Sequence, residues 1–384
     1  AGCSVILTAF RWVLSEWCSD GALGDPPNQR PAAGERAEKI MKAFVTGSTG
    51  LLGNNLVRTL LAEGHEVLAL ARSREKAQRE LGDTDAQIVI GDLTETRGFS
   101  EALRGAHVVY HTAAYFREYY GPGDHAALYR TNVEATLELA RAALAAGVPR
   151  LIHTSSAAIV GNQPDGSPGD ESTPPSALVR DNAYVQSKIA LEPLLEAFAR
   201  EQGLFVASVL PGWMWGPHDA GPTPSGQLVR DALRGKLPPA VPPGGAEVVD
   251  ARDVAQAMIR IAARGRAGER YLVSQGFLSL LEIVKLLGAV TGRSAPSATL
   301  PYPVALAFAS VAEAWAKLTG TASAISLPAI RMMHARLCFS NYKFRTQLGV
   351  TPRPFEETLR DTVEWTVRRL HSGSTERTVT GGPA

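Results

Sequence analysis

The segment Thr46-Gly47-Ser48-Thr49-Gly50-Leu51-Leu52-Gly53 decides the fold of this 384-residue chain. It lies between an apolar run at residues 42–46, which predicts a strand, and a stretch with leucines at helical spacing. Gly47 permits a tight turn, Gly50 lets the backbone approach a pyrophosphate, and Gly53 lets the helix lie close to the sheet. The start of that helix offers N–H groups and a positive dipole to phosphates. The segment therefore predicts a dinucleotide-binding loop, with residues 47–53 in contact with the cofactor.

Strand-like and helix-like segments alternate after this loop. Predicted strands cover residues 67–71, 86–90, 108–111, 151–154 and 206–210, and predicted helices cover 52–63, 99–104, 128–146 and 183–202. The strands are continuous apolar runs, which is typical of a parallel sheet covered by helices on both faces. We expect an α/β chain with a doubly wound parallel sheet, the Rossmann fold.

The pattern loosens after Pro211, where proline and glycine clusters at 211–225 and 238–245 predict loops. Helices are predicted at residues 252–264, 278–291, 303–318 and 355–370, and a strand at 270–273. We expect a Rossmann domain over 41–210. A smaller, mostly helical substrate lobe is expected over 211–370, with segments near 247–275 returning to the Rossmann domain. The helix around Trp315 is apolar on most faces. It either packs within this lobe or forms a substrate lid or a membrane-touching surface.

The two ends of the chain differ from the rest in composition. Residues 19–38 are rich in glycine, proline, alanine and charge, which predicts disorder. The apolar run at residues 5–10 is too short to span a bilayer and has no preceding lysine or arginine, so we expect no signal peptide. We expect a natural start near Met41, with 1–40 as an extension and 371–384 as a disordered tail. A short amphipathic targeting helix at 5–17 is the alternative.

Overall charge and the scattered metal-ligand residues exclude several function classes. The chain has 39 basic and 38 acidic residues and no Lys/Arg-rich block, so we expect no nucleic-acid partner and no acidic-lipid patch. Three cysteines and eight histidines have no metal-ligand or disulfide-framework spacing, so we expect no metal. Cysteine usage of this kind favours a reducing compartment, and we expect the cytoplasm.

The end of the second strand bears on which cofactor is bound. NAD-binding folds place an acidic residue there to hold the ribose 2′-hydroxyl, but this chain has Arg72, followed by Arg74. A guanidinium pairs with a 2′-phosphate. The sequence thus predicts NADP(H), with NAD(H) as the alternative if these arginines are only a solvated helix start.

Other cofactor contacts are expected where later strands end. Asp92 is placed to hold the adenine amino group, and Ala113 and Ala114 are small enough for a cofactor to lie over them. The remaining expected contacts at these strand ends are Leu93, Thr112, Thr154, Pro211 and Gly212.

The catalytic candidates are Tyr184 and Lys188, four residues apart and so on one face of a helix. A tyrosine near its ordinary pKa of about 10 is a poor base at neutral pH, and a nearby lysine cation favours the phenolate. Tyr184 is then a general acid/base for a carbonyl or alcohol oxygen. Lys188 can also reach the nicotinamide ribose.

Hydroxyl and amide side chains complete the expected catalytic centre. Ser156 follows the fifth strand and can hydrogen-bond the substrate oxygen. Ser155 is the second choice, and a hydroxyl that only caps the backbone is the alternative interpretation. Asn132 could hold a water behind Lys188.

These motifs together resemble the extended short-chain dehydrogenase/reductase group, within the NAD-dependent epimerase/dehydratase family, over about residues 41–370. The resemblance includes T-G-x-x-G-x-x-G, Gly91-Asp92-Leu93, Asn132-Val133 and Tyr184-x-x-x-Lys188. The chain looks most like the dihydroflavonol 4-reductase-like and hopanoid-associated sugar epimerase-like branch. The resemblance implies reduction of a ketone by NADPH and a homodimer formed through helices 128–146 and 183–202. The sequence departs from the family pattern at Ala135, usually glycine, and at Trp215, usually tyrosine.

Four functions remain open at this point. A ketone reductase or alcohol dehydrogenase would take a fairly apolar small-molecule substrate. The candidate pocket residues are Tyr115, Phe116, Trp213 and Trp215, with Tyr119, Tyr120 and Tyr302 in addition. A nucleotide-sugar epimerase usually recycles NAD, which Arg72 disfavours. A sugar dehydratase would need acidic residues where Ala157 and Ala158 stand. A non-catalytic NADP sensor commonly loses the tyrosine or the lysine.

Overall fold

The computed structural model describes residues 40–116, 124–319 and 327–379. Predictions for residues 1–39 and 380–384, and for Tyr119 and Tyr120, lie outside the described residues.

A sheet of seven parallel strands forms the centre of the molecule. Its strand order, β3-β2-β1-β4-β5-β6-β10, reverses direction between β1 and β4, and dinucleotides bind at such a point in open α/β sheets. The predicted doubly wound parallel sheet is confirmed. The strands are β1 (Lys42–Thr46), β2 (Glu66–Ala71), β3 (Gln87–Ile90), β4 (Val108–His111), β5 (Arg150–Thr154), β6 (Phe205–Pro211), β7 (Trp213–Trp215), β8 (Ala240–Val241), β9 (Gly245–Asp250), β10 (Arg270–Val273), β11 (Gly276–Ser279) and β12 (Ala298–Thr299).

Helices cover both faces of this sheet and make up most of the C-terminal region. They are α1 (Leu51–Ala62), α2 (Arg74–Leu81), α3 (Asp124–Tyr129), α4 (Ala135–Ala145), α5 (Ala183–Gln202), α6 (Pro224–Leu233), α7 (Ala251–Arg264), α8 (Leu280–Thr291), α9 (Tyr302–Thr319), α10 (Leu327–His334), α11 (Tyr342–Thr346) and α12 (Phe355–Val379).

Two apolar clusters hold the helices against the sheet. On one face, α1 and α7 pack through residues such as Leu56 and Met258, which are fully buried. On the other face, α4 and α5 pack through Leu139 and Leu191, also fully buried. Because the central strands are covered on both sides, they read in the sequence as continuous apolar runs.

A second, three-stranded sheet in the C-terminal half has the order β11-β9-β7, and the sequence analysis missed it. Strand β9 pairs antiparallel with β11 and parallel with β7. The three strands are short and come from separate parts of the chain, so no local sequence periodicity predicts their pairing. Helix α6 was also missed within a proline-rich stretch. There Pro224 occupies the first turn and Thr223 caps it, positions at which proline and threonine favour a helix.

Three predicted helices differ from the structure. The one expected over 99–104 is a short 3₁₀ helix at Ser100–Leu103. The helix expected over 128–146 is divided into α3, a π-helical turn at Arg130–Glu134, and α4. The helix expected to end at residue 370 continues to Val379, so its end falls inside the segment expected to be a disordered tail.

Trp215 is a core residue, which corrects its prediction as a pocket residue. Its side chain is fully buried and stacks edge-on against Phe355 of α12, with the ring centroids 5.5 Å apart. It belongs to the apolar cluster that joins β7 to α6, α8 and α12. Trp213, two residues earlier, remains partly exposed.

This burial predicts a difference between the two tryptophans. Trp215→Ala should lower the free energy of unfolding by about 3–5 kcal/mol, the usual cost of deleting a buried aromatic side chain. Trp213→Ala, as the matched control, should cost clearly less because that side chain is only partly buried. Urea denaturation followed by circular dichroism measures both. Equal losses in the two variants would contradict the core assignment.

Candidate functional site

The glycine loop between β1 and α1 leaves no room for side chains at two positions. Gly47 has a left-handed backbone with φ of +68°, and a Cβ there would lie 2.7 Å from the backbone nitrogen of Ala113. A Cβ on Gly53 would lie 2.2 Å from the carbonyl oxygen of Gly47. Both positions therefore require glycine, as the sequence predicted. Gly50, by contrast, is exposed at the loop surface.

The start of α1 faces this loop and suits a phosphate. Gly50 is the N-cap residue and has no side chain to occupy the first N–H groups of the helix, which have no acceptors within the helix. The side chains of Leu51 and Leu52 are buried, so each can offer only its backbone N–H. Thr49 is half-buried, and the buried Ser48 donates its hydroxyl to the carbonyl of Leu70, 2.8 Å away. These residues fit the pyrophosphate of a dinucleotide.

Two arginines follow β2 at the same edge of the sheet. Both Arg72 and Arg74 are exposed, and Arg74 begins α2, which Ser73 caps. Asp92 follows β3, and hydrogen bonds from Thr94 lower the pKa of its carboxyl group, with a smaller contribution from the nearby Arg72. The adjacent Leu93 is buried in the core.

The loop after β4 packs directly against the glycine loop. Thr112 donates its hydroxyl to the carbonyl of Thr46 at 2.6 Å, and the N–H of Ala113 donates to the Thr46 hydroxyl at 3.3 Å. Ala114, next in the chain, is exposed. This arrangement brings the small residues predicted to lie under the cofactor beside the glycine turn.

Lys188 is buried, with 2% of its surface exposed, and donates to the carbonyl oxygen of Thr154 at the end of β5, 2.7 Å away. Burial lowers the pKa of Lys188 to about 8, and the negative charge of Glu192, one helical turn further on, opposes that shift. The lysine therefore remains mainly charged at neutral pH while its charge is easily lost at mildly alkaline pH.

Two buried histidines lie near Lys188 and were not predicted from the sequence. His111 and His153 stack with ring centroids 5.5 Å apart. Burial lowers the pKa of His111 to about 3 and that of His153 well below its ordinary value, and the charge of Lys188 adds to both shifts. Both rings are therefore neutral, which avoids further positive charge beside the lysine.

Tyr184 lies one turn before Lys188, and the lysine Nζ is 5.8 Å from the centre of its ring. The half-exposed Phe116 packs edge-on against the tyrosine ring, with centroids 4.8 Å apart. Residues Ala157 and Ala158 share an apolar cluster with Tyr184, so the short turn after β5 lies beside it. In that turn Ser156 is partly exposed and accepts the N–H of Ala158, whereas Ser155 is buried.

Asn132 holds the loop after β4 through its side-chain amide, and its expected role behind Lys188 stays a prediction. Its amide oxygen accepts the N–H of Tyr115 at 2.7 Å, and its nitrogen donates to the carbonyl of Tyr115 at 3.2 Å. The same nitrogen donates to Ser187 Oγ at 3.0 Å, and Ser187 donates in turn to the carbonyl of Tyr184 at 2.7 Å. This chain of bonds connects Tyr115 to the helix of Tyr184.

The role of Ser187 and the π-helical turn that carries Asn132 were not predicted from the sequence. Ser187 lies three residues after Tyr184, a spacing at which a serine hydroxyl reaches back to the helix carbonyl, so its position was the available signal. The turn contains neither proline nor glycine, and the sequence held no signal for it. Such turns are frequent at functional sites.

The chain after β6 passes close to β9 and to the start of α1. A Cβ on Gly212 would lie 2.5 Å from the carbonyl of Glu247, so β9 and this turn approach closely. Pro211 is buried at the end of β6. Asn55 of α1 donates to the carbonyl of Pro217 at 2.8 Å and ties the cofactor helix to the loop after β7.

Tyr302 lies on the C-terminal helices, where its ring stacks on His334 with centroids 3.7 Å apart. It packs in the cluster between α9 and α10. We therefore assign Tyr302 to the packing between α9 and α10.

Comparisons with known proteins agree with this geometry. The model of the NAD dependent epimerase/dehydratase family matches residues 43–274. A protein of Synechocystis sp., provisionally assigned as a dihydroflavonol 4-reductase, is 33% identical over 84% of this chain and 93% of its own length. Sterol demethylase protein B of Methylococcus capsulatus is 30% identical over 85% of this chain and 98% of its own.

A solved structure gives the same result. The crystal structure of gox2253 matches with a TM-score of 0.73 and 31% sequence identity, over 85% of this chain and 98% of that chain. The chain thus belongs to the NAD-dependent epimerase/dehydratase family and is an NAD(P)-dependent oxidoreductase of the short-chain dehydrogenase/reductase type.

Proposed function

We propose that this protein is an NADP(H)-dependent reductase that converts a ketone of a fairly apolar substrate into a secondary alcohol, and that the reverse oxidation uses the same residues. The observation that carries the proposal is the buried Lys188 next to Tyr184, at the sheet edge where the glycine loop also lies. Tyr184 is the proton donor in this proposal, and Ser156 is the hydrogen-bond donor to the substrate oxygen.

When bound, the nicotinamide supplies or accepts the hydride. Residues 47–53 would hold the pyrophosphate at the start of α1, and Lys188 would hold the nicotinamide ribose. As charge develops on the carbonyl oxygen, Tyr184 donates its phenolic proton and Ser156 donates a hydrogen bond to that oxygen. The charge of Lys188 stabilises the phenolate that Tyr184 leaves behind. Asn132 and Ser187 act as positioning residues that fix the helix of Tyr184.

The preference for NADP(H) rests on Arg72 and Arg74, both exposed after β2. A guanidinium there would pair with a 2′-phosphate, and no acidic side chain occupies the first position after the strand. Asp92, near Arg72, would take the adenine amino group.

An apolar substrate is supported by the side chains around Tyr184. Phe116 packs on its ring, and Asn132 and Ser187 hold the backbone of Tyr115 to the same helix. Trp213 is the first residue of β7 and shares a cluster with Met333 of α10, next to Met332 in the cluster of Tyr184. The names of the two relatives, a flavonoid reductase and a sterol protein, agree with a substrate of this kind.

We also propose a cytoplasmic homodimer. The candidate interface is α4 and α5, on which Leu194 is 44% exposed.

Tyr184→Phe should abolish most turnover but leave NADPH binding largely intact, because only the proton donor is removed. Loss of a general acid lowers kcat by about 100- to 10,000-fold. Tyr342→Phe, which removes a hydroxyl from a residue that is 67% exposed outside the site, is the matched control and should retain full activity. Absorbance at the nicotinamide band measures turnover, and fluorescence of NADPH measures binding. Unchanged turnover in Tyr184→Phe would refute the mechanism.

Arg72→Asp should change the cofactor preference. Removing a charge-assisted pair with the 2′-phosphate and adding a repelling carboxylate should lower the ratio of kcat/KM for NADPH over NADH by about 10- to 100-fold. Arg104→Asp is the control, since Arg104 is exposed before β4, at the opposite edge of the sheet. A parent enzyme that already prefers NADH would show that Arg72 does not hold a 2′-phosphate.

The rate of ketone reduction should fall as pH rises through about 8. Lys188, with a pKa of about 8, carries its charge below this pH and loses it above. Reduction needs that charge, so kcat/KM should decline on the alkaline side. Lys188→Arg keeps its charge at every accessible pH, and whatever activity it retains should show no decline near pH 8. A parent profile that stays flat up to pH 10 would contradict the role of Lys188.

A further inference from the structure

The outer face of helix α9 is apolar and exposed over its whole length. Five large apolar side chains follow one another at spacings of four, three, four and three residues, which place them in one stripe along a helix. They are Val304 (50% exposed), Phe308 (59%), Val311 (69%), Trp315 (66%) and Leu318 (83%). Scattered apolar residues on a surface are ordinary, but a continuous patch marks an interaction site.

The polar groups of α9 do not interrupt this stripe in the part of the helix whose side chains the structure describes. Ser310 donates its hydroxyl to the carbonyl of Leu306 at 2.9 Å, so its hydrogen is already used. Glu313 accepts the N–H of Leu327 at 2.7 Å and therefore faces α10. Among the side chains of α9 that the structure describes, Ala305, Ala309 and Ala316 are buried, and Tyr302 and Leu306 pack in the same cluster against α10. The five stripe residues are exposed.

The position of α9 relates this face to the candidate active site. It packs on α10 through a cluster that includes Ile330 and Leu327. Helix α10 in turn contributes Met332 to the cluster of Tyr184, and Met333 to the cluster of Trp213. The stripe therefore lies on the exposed face of α9, and α9 packs on α10, the helix that contacts the clusters of both Tyr184 and Trp213.

We propose that this stripe, formed by Val304, Phe308, Val311, Trp315 and Leu318, binds the surface of a lipid bilayer. A tryptophan and a phenylalanine among aliphatic side chains are the composition of helices that lie in the interface of a membrane. Of the helices that the structure describes, none has the length and apolar content needed to cross a membrane. The proposed contact is with the bilayer surface.

The size of the face favours a bilayer over a second copy of the chain. A helix of 18 residues is about 27 Å long and about 10 Å across, so one face offers roughly 300 Å². A stable dimer buries about 800 Å² on each partner. A bilayer needs no complementary shape and accepts an isolated helix face of this size.

The contact would also serve catalysis, and this part rests on the proposed function. An apolar ketone partitions into bilayers, and a docked α9 would hold the side of the protein near Tyr184 and Trp213 against that reservoir. Addition of vesicles should then lower KM for a membrane-partitioned ketone. It should leave KM for a small water-soluble ketone unchanged.

The test is flotation of the full chain with phosphatidylcholine vesicles, without substrate or cofactor, at low and high salt. The parent should float at both salt concentrations, because the contact is apolar. Phe308→Ser combined with Trp315→Ser should lower the partition coefficient by about 100-fold, since each large apolar side chain removed is worth about tenfold. Tyr342→Ser is the matched control. It removes an exposed aromatic side chain elsewhere and should float like the parent.

Each of the following four results would overturn the proposal. A dimer that dissociates in the double variant, seen by sedimentation velocity, would make the stripe an interface between two copies. Equal flotation of parent and double variant would place lipid binding elsewhere in the chain. Flotation only with phosphatidylglycerol, and only at low salt, would indicate a charged contact. Absence of flotation would refute the bilayer contact while leaving the reductase proposal standing, because the assay contains no ketone.

Discussion

The structure depends on one close approach, between the carbonyl of Gly47 and the backbone of Gly53. Because a Cβ on Gly53 would lie 2.2 Å from that oxygen, only glycine at this position lets the first turns of α1 lie against the loop that leaves β1. This sets the start of α1 against the switch point of the sheet, between β1 and β4. The loop after β4 then packs on the glycine turn through Thr112 and Ala113. The position of the cofactor site, and of the residues opposite it, follows from this contact.

Burial gives Lys188 its chemical character. The side chain is buried at the end of β5, near two neutral histidines, and burial lowers its pKa to about 8. It keeps one firm hydrogen bond, to the carbonyl of Thr154, which fixes the ammonium beside the tyrosine. A buried cation held in this way is worth more to a neighbouring phenolate than an exposed one, because water screens it less.

The sequence was most informative where local pattern and tertiary role agree. The bounds of β4, α5 and β10 match the predicted segments, since each is a compact apolar or amphipathic run. The sequence was least informative where strands from distant parts of the chain pair, as in the β11-β9-β7 sheet. It was also uninformative at α6, where a proline-rich composition predicts a loop but the structure has a helix. The burial of Trp215 against Phe355 joins residues far apart in the chain, so no local pattern could separate it from Trp213. The contacts of Asn132 depend on a π-helical turn that the local sequence does not predict.

The proposed reaction is net hydride transfer between a nicotinamide and a ketone, which consumes the cofactor, whereas an epimerase regenerates its cofactor in each cycle. The most direct measurement supplies NADPH carrying deuterium at the transferred position, together with a panel of apolar ketones. We expect loss of NADPH absorbance in a one-to-one ratio with formation of an alcohol that contains the deuterium. Stable NADPH absorbance with every ketone, together with inversion of a sugar nucleotide by the enzyme and NAD⁺, would contradict it.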